Sequence, residues 1–522
     1  MKKFSAKAFF VSAISALCSL AIGCGSSATY PRQLGGSVQS TSNPLVAQFS
    51  VLSSCNGQAM VEFGTDTTYG RSTAWYPVYA GDTPTQILVA GMKASTTYHM
   101  RSQLQCSDGV YPGNDLTFST GALPSTIPFP SLTVSRPSPS AGSPENPGVE
   151  TVAVGAPSYP VLVVDRDANP IWYYDVGQGN SPTMFKLLPN GHMLVMLNTP
   201  TTSVLREVDL AGNVIRELDI LTLDAAMQAA GFDFKPANYS HDFAVLDNGH
   251  IIVLTLCFKT LSAQGFGTLP IIGDGLVDLD QNWNPVWAWN SFDQLEPNGP
   301  LNVNRHLNSL PDWTHGNAIL YLAQDGNLLL SMRHQSWLAK IDYNNGAGTG
   351  KILWLLGYQG SFALTENGVP TDDPSLWFSF QHFPSIISQN GSQIMMNVWD
   401  NGDNRPLDTN GDICGTPPVN AQCYSRATLF QVDESTMVAD LQWQDLPGLF
   451  SVWGGDVLQL ENGNVEFDIN DPTPAPSPGV ASQVQEVTQT SSPQIVWQMN
   501  VSLNAYRLYR IPSLYPGVNW QY

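Results

Sequence analysis

The chain has 522 residues, 43% hydrophobic and only 12% charged, which argues against a disordered protein and leaves room for more than one core. With 22 Lys and Arg against 43 Asp and Glu the net charge is −21, which argues against nucleic acid as a partner, because phosphate binding needs a basic face. The 44 Gly and 38 Pro, among many Val, Thr, Trp and Tyr, favour strands and turns over helix.

Lys2, Lys3 and Lys7 precede an apolar run from Phe9 to Ile22, the pattern of an export signal. The run ends in Ala21-Ile22-Gly23-Cys24, which resembles a bacterial lipoprotein box. Residues 1–23 are therefore expected to be a lipoprotein signal peptide, with Cys24 lipidated as the first mature residue; plain secretion is the alternative. Gly25 after Cys24 suits the outer membrane, so the expected location is a periplasmic or cell-surface lipoprotein, outer-membrane anchored. Membrane contact is expected only through that lipid anchor, since no later run is long and apolar enough to span a bilayer. Residues 24–44, rich in Ser, Gly and Thr, read as a flexible tether.

Residues 45–121 change character. AMVEFGTDTTYG and TYHMRSQLQCSDG alternate as strands and TFSTGA closes the unit, a pattern that resembles a fibronectin type III-like sandwich. Cys55 and Cys106 both fall in this unit and could pair, as an exported context favours.

Residues 125–522 carry an internal repeat. Its turns are Pro189-Asn190-Gly191, Asp247-Asn248-Gly249, Gln324-Asp325-Gly326, Gln389-Asn390-Gly391 and Glu461-Asn462-Gly463. Such Gly turns require positive φ and signal hairpins. Each is associated with a second strand pair, such as LREVDLAGNVIRELD or GLVDLDQNWNPVWAWN. Six units of four strands predict a six-bladed β-propeller, so the fold class is all-β: a propeller with an N-terminal sandwich. The last strand, Tyr506 to Leu514, is expected to complete the first unit and close the ring. LTLDAAMQAAGFDF, from Leu221, is the best helix candidate. Cys414 and Cys423, nine apart, could close a loop, and Cys257 is left over. No Cys-x-x-Cys occurs, so structural zinc has little support.

His241, His315 and His382 occupy equivalent places in three units: 7, 10 and 8 residues before Asn248, Asp325 and Asn390. On first strands lining a central channel they would converge at one mouth. Arg333, 7 residues after Gly326, returns on its hairpin to the level of His315, and Asp400 and Arg405 return similarly beside His382. His192 and His250 directly follow turns and belong at the opposite end; His306 and His334 stay open. Trp313, Trp377, Trp399 and Trp453 lie near the mouth as pocket-wall candidates, whereas Trp287, Trp289, Trp354 and Trp443 suit packing between units. Three His with one Arg fit a zinc site, a passive anion-binding channel, or transfer of an anionic group with a neutral imidazole as nucleophile and Arg clamping the oxyanion. Arg fits poorly at a metal, and it lowers a neighbouring imidazole pKa.

At SHDFAVLDNGHIIVL, DWTHGNAILY, LLLSMRHQSWLAKID, FSFQHFPSI, NVWDNGDNR and YRLYRIPSLYP the chain resembles the bacterial arylsulfotransferases (aryl-sulfate sulfotransferases). The resemblance implies a six-bladed propeller behind a β-sandwich, work outside the cytoplasm and, in many members, a homodimer. It implies that His382 is the nucleophile, transiently sulfated. It implies that His241, His315, Arg333 and the substrate-binding Asn317 hold the sulfuryl oxygens and assist the leaving phenolate. A phenolic sulfate ester is then the donor and a second phenol the acceptor, with no cofactor and no metal. The family's better-known members carry a cysteine-bridged loop before the nucleophilic His, whereas Cys414 and Cys423 follow His382. The alternative reading is a non-catalytic cell-surface propeller that binds ligands or partners.

Overall fold

Strands with β-branched, alternating sequences build nearly the whole molecule, and Ile220–Ala230 is the one α-helix among the described residues. This computed structural model describes residues 33–138, 144–263, 267–295, 306–307, 310–415 and 422–521. The expected signal peptide, with Cys18 and Cys24, lies outside the described residues.

Two antiparallel sheets form the N-terminal unit. One holds Gln33–Ser40, Ala47–Ser53 and Thr85–Val89; the other is centred on Gly57–Gly64 and Thr97–Cys106. Ala47–Ser53 alternates buried and half-buried residues along its length, as a strand with one covered face must. Phe49, Val51, Val61, Phe63, Met100 and Leu104 share one core, and Cys55 bonds Cys106. The end of the expected tether is corrected here: Gln33–Ser40 is a strand paired with Ala47–Ser53. Its side chains are mostly exposed, so no hydrophobic period marks it; backbone pairing holds it to the sheet, helped by Val38 against the core and by Gln33 accepting from Ser102 Oγ. The C-terminal segment ties this unit down. Tyr515 Oη donates to the Leu88 carbonyl at 2.9 Å, and Trp520 Nε1 donates to the Ser72 carbonyl at 2.9 Å.

Six sheets follow in chain order, each with four antiparallel strands at its heart. The fifth gains two short strands, Ala363–Glu366 and Val369–Thr371, the former parallel to its neighbour, and the sixth gains Leu132–Ser135. The second holds Ser181–Leu187 to Val214–Asp219, the third Pro236–Val245 to Pro285–Asn290 and the fourth Gly316–Leu322 to Ile352–Leu356. The fifth is built on His382–Asn390 to Val438–Asp445 and the sixth on Val457–Gln459 to Ile495–Val501. The first sheet joins the two chain ends: Ala505–Ile511 pairs with Val149–Val154, which pairs with Val161–Val164. The last strand thus completes the first sheet, as the sequence predicts. The first strand of each sheet touches the first strand of the next, and Ala505–Ile511 touches those of the second and sixth, so the series returns on itself.

The turns at Gly191, Gly249, Gly326, Gly391 and Gly463 all take positive φ, between 59° and 87°, as the repeat requires. The helix follows the second sheet. Asp219 caps it by accepting from the Leu221 and Thr222 amides, and Gly231, at φ 83°, ends it. Cys414 bonds Cys423, and Cys257 is a buried free thiol. Two disulfides are characteristic of an exported, oxidising context.

Candidate functional site

His241, His315 and His382 converge with Arg333, Trp453 and Tyr506 around one cavity of about 400 Å³, with Thr183 and Asn198 on its far wall. Each histidine stands at a break in its strand. The pairing register shifts between Tyr239 and Phe243, between Gly316 and Ala318, and between His382 and Ser385. His241 has φ 47°, His315 φ 50° and Phe383, next to His382, φ 24°. These left-handed bulges turn side chains that a regular strand would send elsewhere.

His382 is buried, and its tautomer follows from its neighbours. Asn401 donates through Nδ2 to the carbonyls of Ser451 (2.7 Å) and Gly454 (3.1 Å), which fixes Oδ1 toward the ring. Because Oδ1 only accepts, His382 Nδ1 at 2.6 Å carries the proton. Nε2 therefore holds the lone pair, and the Gly454 amide donates to it at 3.2 Å. Burial first, then Arg333, holds this imidazole well below its ordinary pKa, so it is neutral at pH 7.

His241 and His315 lie 4.8 Å apart between ring centres, and the Tyr506 ring sits 5.3 Å from His241 and 5.9 Å from His382. Burial and, respectively, His315 and Arg333 push the His241 and His315 pKa values down to about 3. Arg333 reaches the mouth as expected: its backbone amide donates to the His315 carbonyl at 3.2 Å. Its guanidinium donates to the Val452 carbonyl at 2.7 Å and to His334 Nε2 at 2.9 Å, and pairs with Asp403 at 3.6 Å. The centre is thus one fixed cation beside three neutral imidazoles, inside a chain of net charge −21. An anion entering it meets Arg333 and ring nitrogens in a poorly solvated space, where each contact is strengthened.

The remaining predicted residues are placed differently. Asn317 is fully buried beneath the site rather than on the cavity wall; its Nδ2 donates at 2.7 Å to the carbonyl of Gln381, the residue before His382. Asp400 lies behind the wall in a buried pairing with Arg405 (2.9 Å) and Arg426 (2.7 Å). Of the four mouth tryptophans only Trp453 lines the cavity; Trp377 and Trp399 fill cores between sheets, and Trp313 packs against Leu261 and Ile271 of the third sheet. His306 has no described side chain.

Sequence reasoning left His334 open and missed Asp312, Asn401, Gly454 and Tyr506. Asp312 had a signal, three residues before His315 in DWTH, and Asn401 directly follows Asp400. Tyr506 begins the closing strand. Asp312, His315 and His334 bring one ligand-type atom each within 4.8 Å of one another. Those atoms already bond within the protein: His315 Nδ1 to Asp312 Oδ2 at 2.5 Å, and His334 Nδ1 to the Asp312 carbonyl at 2.6 Å. The set reads as a hydrogen-bonded support for His315 rather than a cation cage.

Residues 153–510 match the family model described as arylsulfotransferase (ASST). An arylsulfate sulfotransferase AssT from Escherichia coli (strain CFT073) is 25% identical over 169 residues, covering 29% of this chain and 26% of that one. One from Lelliottia amnigena is 26% identical over 170 residues, with the same shares. The matched stretch thus spans about a quarter of these relatives' length. A solved structure from Bacteroides caccae, of a protein of unknown function, has 10% identity, covers 69% of this chain and 98% of that chain, and reaches a TM-score of 0.39.

Proposed function

The chain belongs to the arylsulfotransferase family, and from that premise we propose that it moves a sulfuryl group from a phenolic sulfate ester to a phenolic acceptor through a sulfated histidine. The observation that carries this reading is the His382 geometry: proton on Nδ1, lone pair on Nε2, and a pKa far below neutrality, facing a cavity with one arginine. His382 Nε2 attacks sulfur, the bond from sulfur to the phenolic oxygen breaks, and its electron pair leaves on the phenolate. The acceptor's oxygen then attacks sulfur, the sulfur–nitrogen bond breaks, and the pair returns to Nε2. Arg333 and His241 hold the sulfuryl oxygens, His315 faces the phenolic oxygen that leaves or attacks, Asn317 positions the strand of His382 from below, and Trp453 and Tyr506 offer aromatic walls to the phenyl rings.

In this reading the six sheets are the blades of a propeller spanning 125–522, and 45–121 is a fibronectin type III-like sandwich that braces it. Residues 1–23 direct export, Cys24 takes lipid at the outer membrane, and the tether is shortened to the segment before Gln33.

The test is intact mass after mixing the mature protein with p-nitrophenyl sulfate and no acceptor. A gain of about 80 Da, absent in His382→Asn, is expected for one sulfuryl group on the nucleophile. Folded protein that gains no mass and releases no nitrophenol with several aryl donors would instead favour a ligand-binding propeller.

A further inference from the structure

We infer that Asp312 is a positioning residue that makes His315 the base for the acceptor phenol, an inference that rests on the sulfuryl-transfer reading above. Asp312 is 1% exposed, and its Oδ2 lies 2.5 Å from His315 Nδ1. A carboxylate only accepts, so Nδ1 carries the proton and Nε2, on a ring that lines the cavity, carries the lone pair.

The segment is held from several sides. The Trp313 amide donates to the Ile272 carbonyl at 3.0 Å, and the His334 amide donates to the Thr314 carbonyl at 3.2 Å. The Gly316 amide donates to Asp274 Oδ2 at 2.6 Å, and a Cβ at Gly316 would meet that carboxylate at 2.9 Å, so only glycine allows the approach. His334 stacks on His315 at 4.4 Å and 25° while donating to the Asp312 carbonyl. The left-handed backbone at His315 is thus pinned on both sides, and the ring has one orientation.

In the second half-reaction the acceptor phenol gives its proton to His315 Nε2 as its oxygen attacks sulfur. The sulfur–nitrogen pair returns to His382, and His315 afterwards releases the proton to solvent. The imidazolium so formed lies beside Arg333, which disfavours it; the Asp312 carboxylate supplies the countercharge. In the first half-reaction a nitrophenolate leaves as the anion and needs no proton.

That asymmetry supplies the test. Wild type and Asp312→Asn are sulfated with p-nitrophenyl sulfate, and the adduct is discharged either to phenol, neutral at the assay pH, or to a polyfluorinated phenol already ionised there. Asp312→Asn is expected to form the adduct and to discharge it to phenol on the order of 100-fold more slowly, while discharge to the ionised phenol changes by only about threefold. Equal slowing with both acceptors, or a folded variant that forms no adduct, overturns the inference. If Asp312→Asn does not fold, His315→Gln must show the same split between acceptors, and its absence overturns the inference equally. Failure of wild type to form any adduct refutes the sulfuryl-transfer reading itself.

Discussion

Replacing His334 with Gln isolates the acid sensitivity of the site. His334 is 6% exposed and lies against Arg333 and His315; burial, then those two neighbours, pushes its pKa from 6.5 down to about 2. The unfolded chain takes up this proton below about pH 6.5, whereas the folded chain does so only near pH 2. Stability is therefore complete above 6.5 and is lost as pH falls through that window, by up to about 1.4 kcal/mol per pH unit. Between pH 7 and pH 5 the loss from this one imidazole integrates to about 2 kcal/mol. Gln can still donate to the Asp312 carbonyl and accept from Arg333, so the variant removes the titration while keeping the bonds. Asp274, raised to about 7 by burial, and Asp312, also raised, act with the opposite sign, gaining stability as pH falls. Both remain in the variant, so they largely cancel in the comparison. Urea unfolding of both proteins at pH 7 and pH 5 should show the variant gaining about 2 kcal/mol on wild type at the lower pH. A difference constant to within about 0.5 kcal/mol would refute the claim that this histidine is held neutral by burial.

Asn401→Ala removes the acceptor for His382 Nδ1–H and orphans that donor in a buried site. With about 1–3 kcal/mol at stake, the rate of His382 sulfation by p-nitrophenyl sulfate should fall roughly 10- to 100-fold, measured by stopped flow on protein that circular dichroism shows to be folded. An unchanged rate would mean that the tautomer is set by something other than Asn401. The Cys55–Cys106 bond closes a long loop across the N-terminal unit, and loop-closure entropy assigns it about 4 kcal/mol. The double Cys→Ala variant should lose that much in urea unfolding, and a loss under about 1 kcal/mol would show that the unfolded unit stays compact.

The repeat was legible because its parts are local. An Asn-Gly or Asp-Gly turn needs positive φ wherever it occurs, and the five predicted turns have it. Matched spacing from those turns then placed His241, His315, His382 and Arg333 at one level, and they meet in one cavity. What spacing could not supply was direction within a strand. Asn317, two residues beyond His315, lies past the bulge and points under the site toward Gln381 instead of into it. Trp313, Trp377 and Trp399 stand near the mouth in sequence, yet Trp399 alternates into a core between sheets and Trp313 and Trp377, on loops, fold into apolar clusters away from the cavity. Asn401 and Gly454 act on His382 from the fifth sheet's return and from the loop before the sixth, contacts that no local pattern encodes. Gln33–Ser40 was hidden for the opposite reason, being a mostly exposed strand held chiefly by backbone pairing.

The bulges themselves argue that the cavity is the purpose of this end of the molecule. A left-handed non-glycine residue costs on the order of 1 kcal/mol or more, and Gly or Asn would relieve it. His241 and His315 carry that strain directly, and Phe383 carries it for His382, on three separate sheets at one level. Fold stability does not call for the same distortion three times, because regular strands would pair more completely at each place. Each distortion is held by bonds that serve the adjacent ring: Ser240 Oγ lies 2.6 Å from His241 Nδ1, Asp312 accepts from His315, and Asn401 accepts from His382. Strain together with a dedicated partner at every histidine fits a site in which three imidazoles must be neutral, oriented and close together, and a passive channel has no need of the orientation.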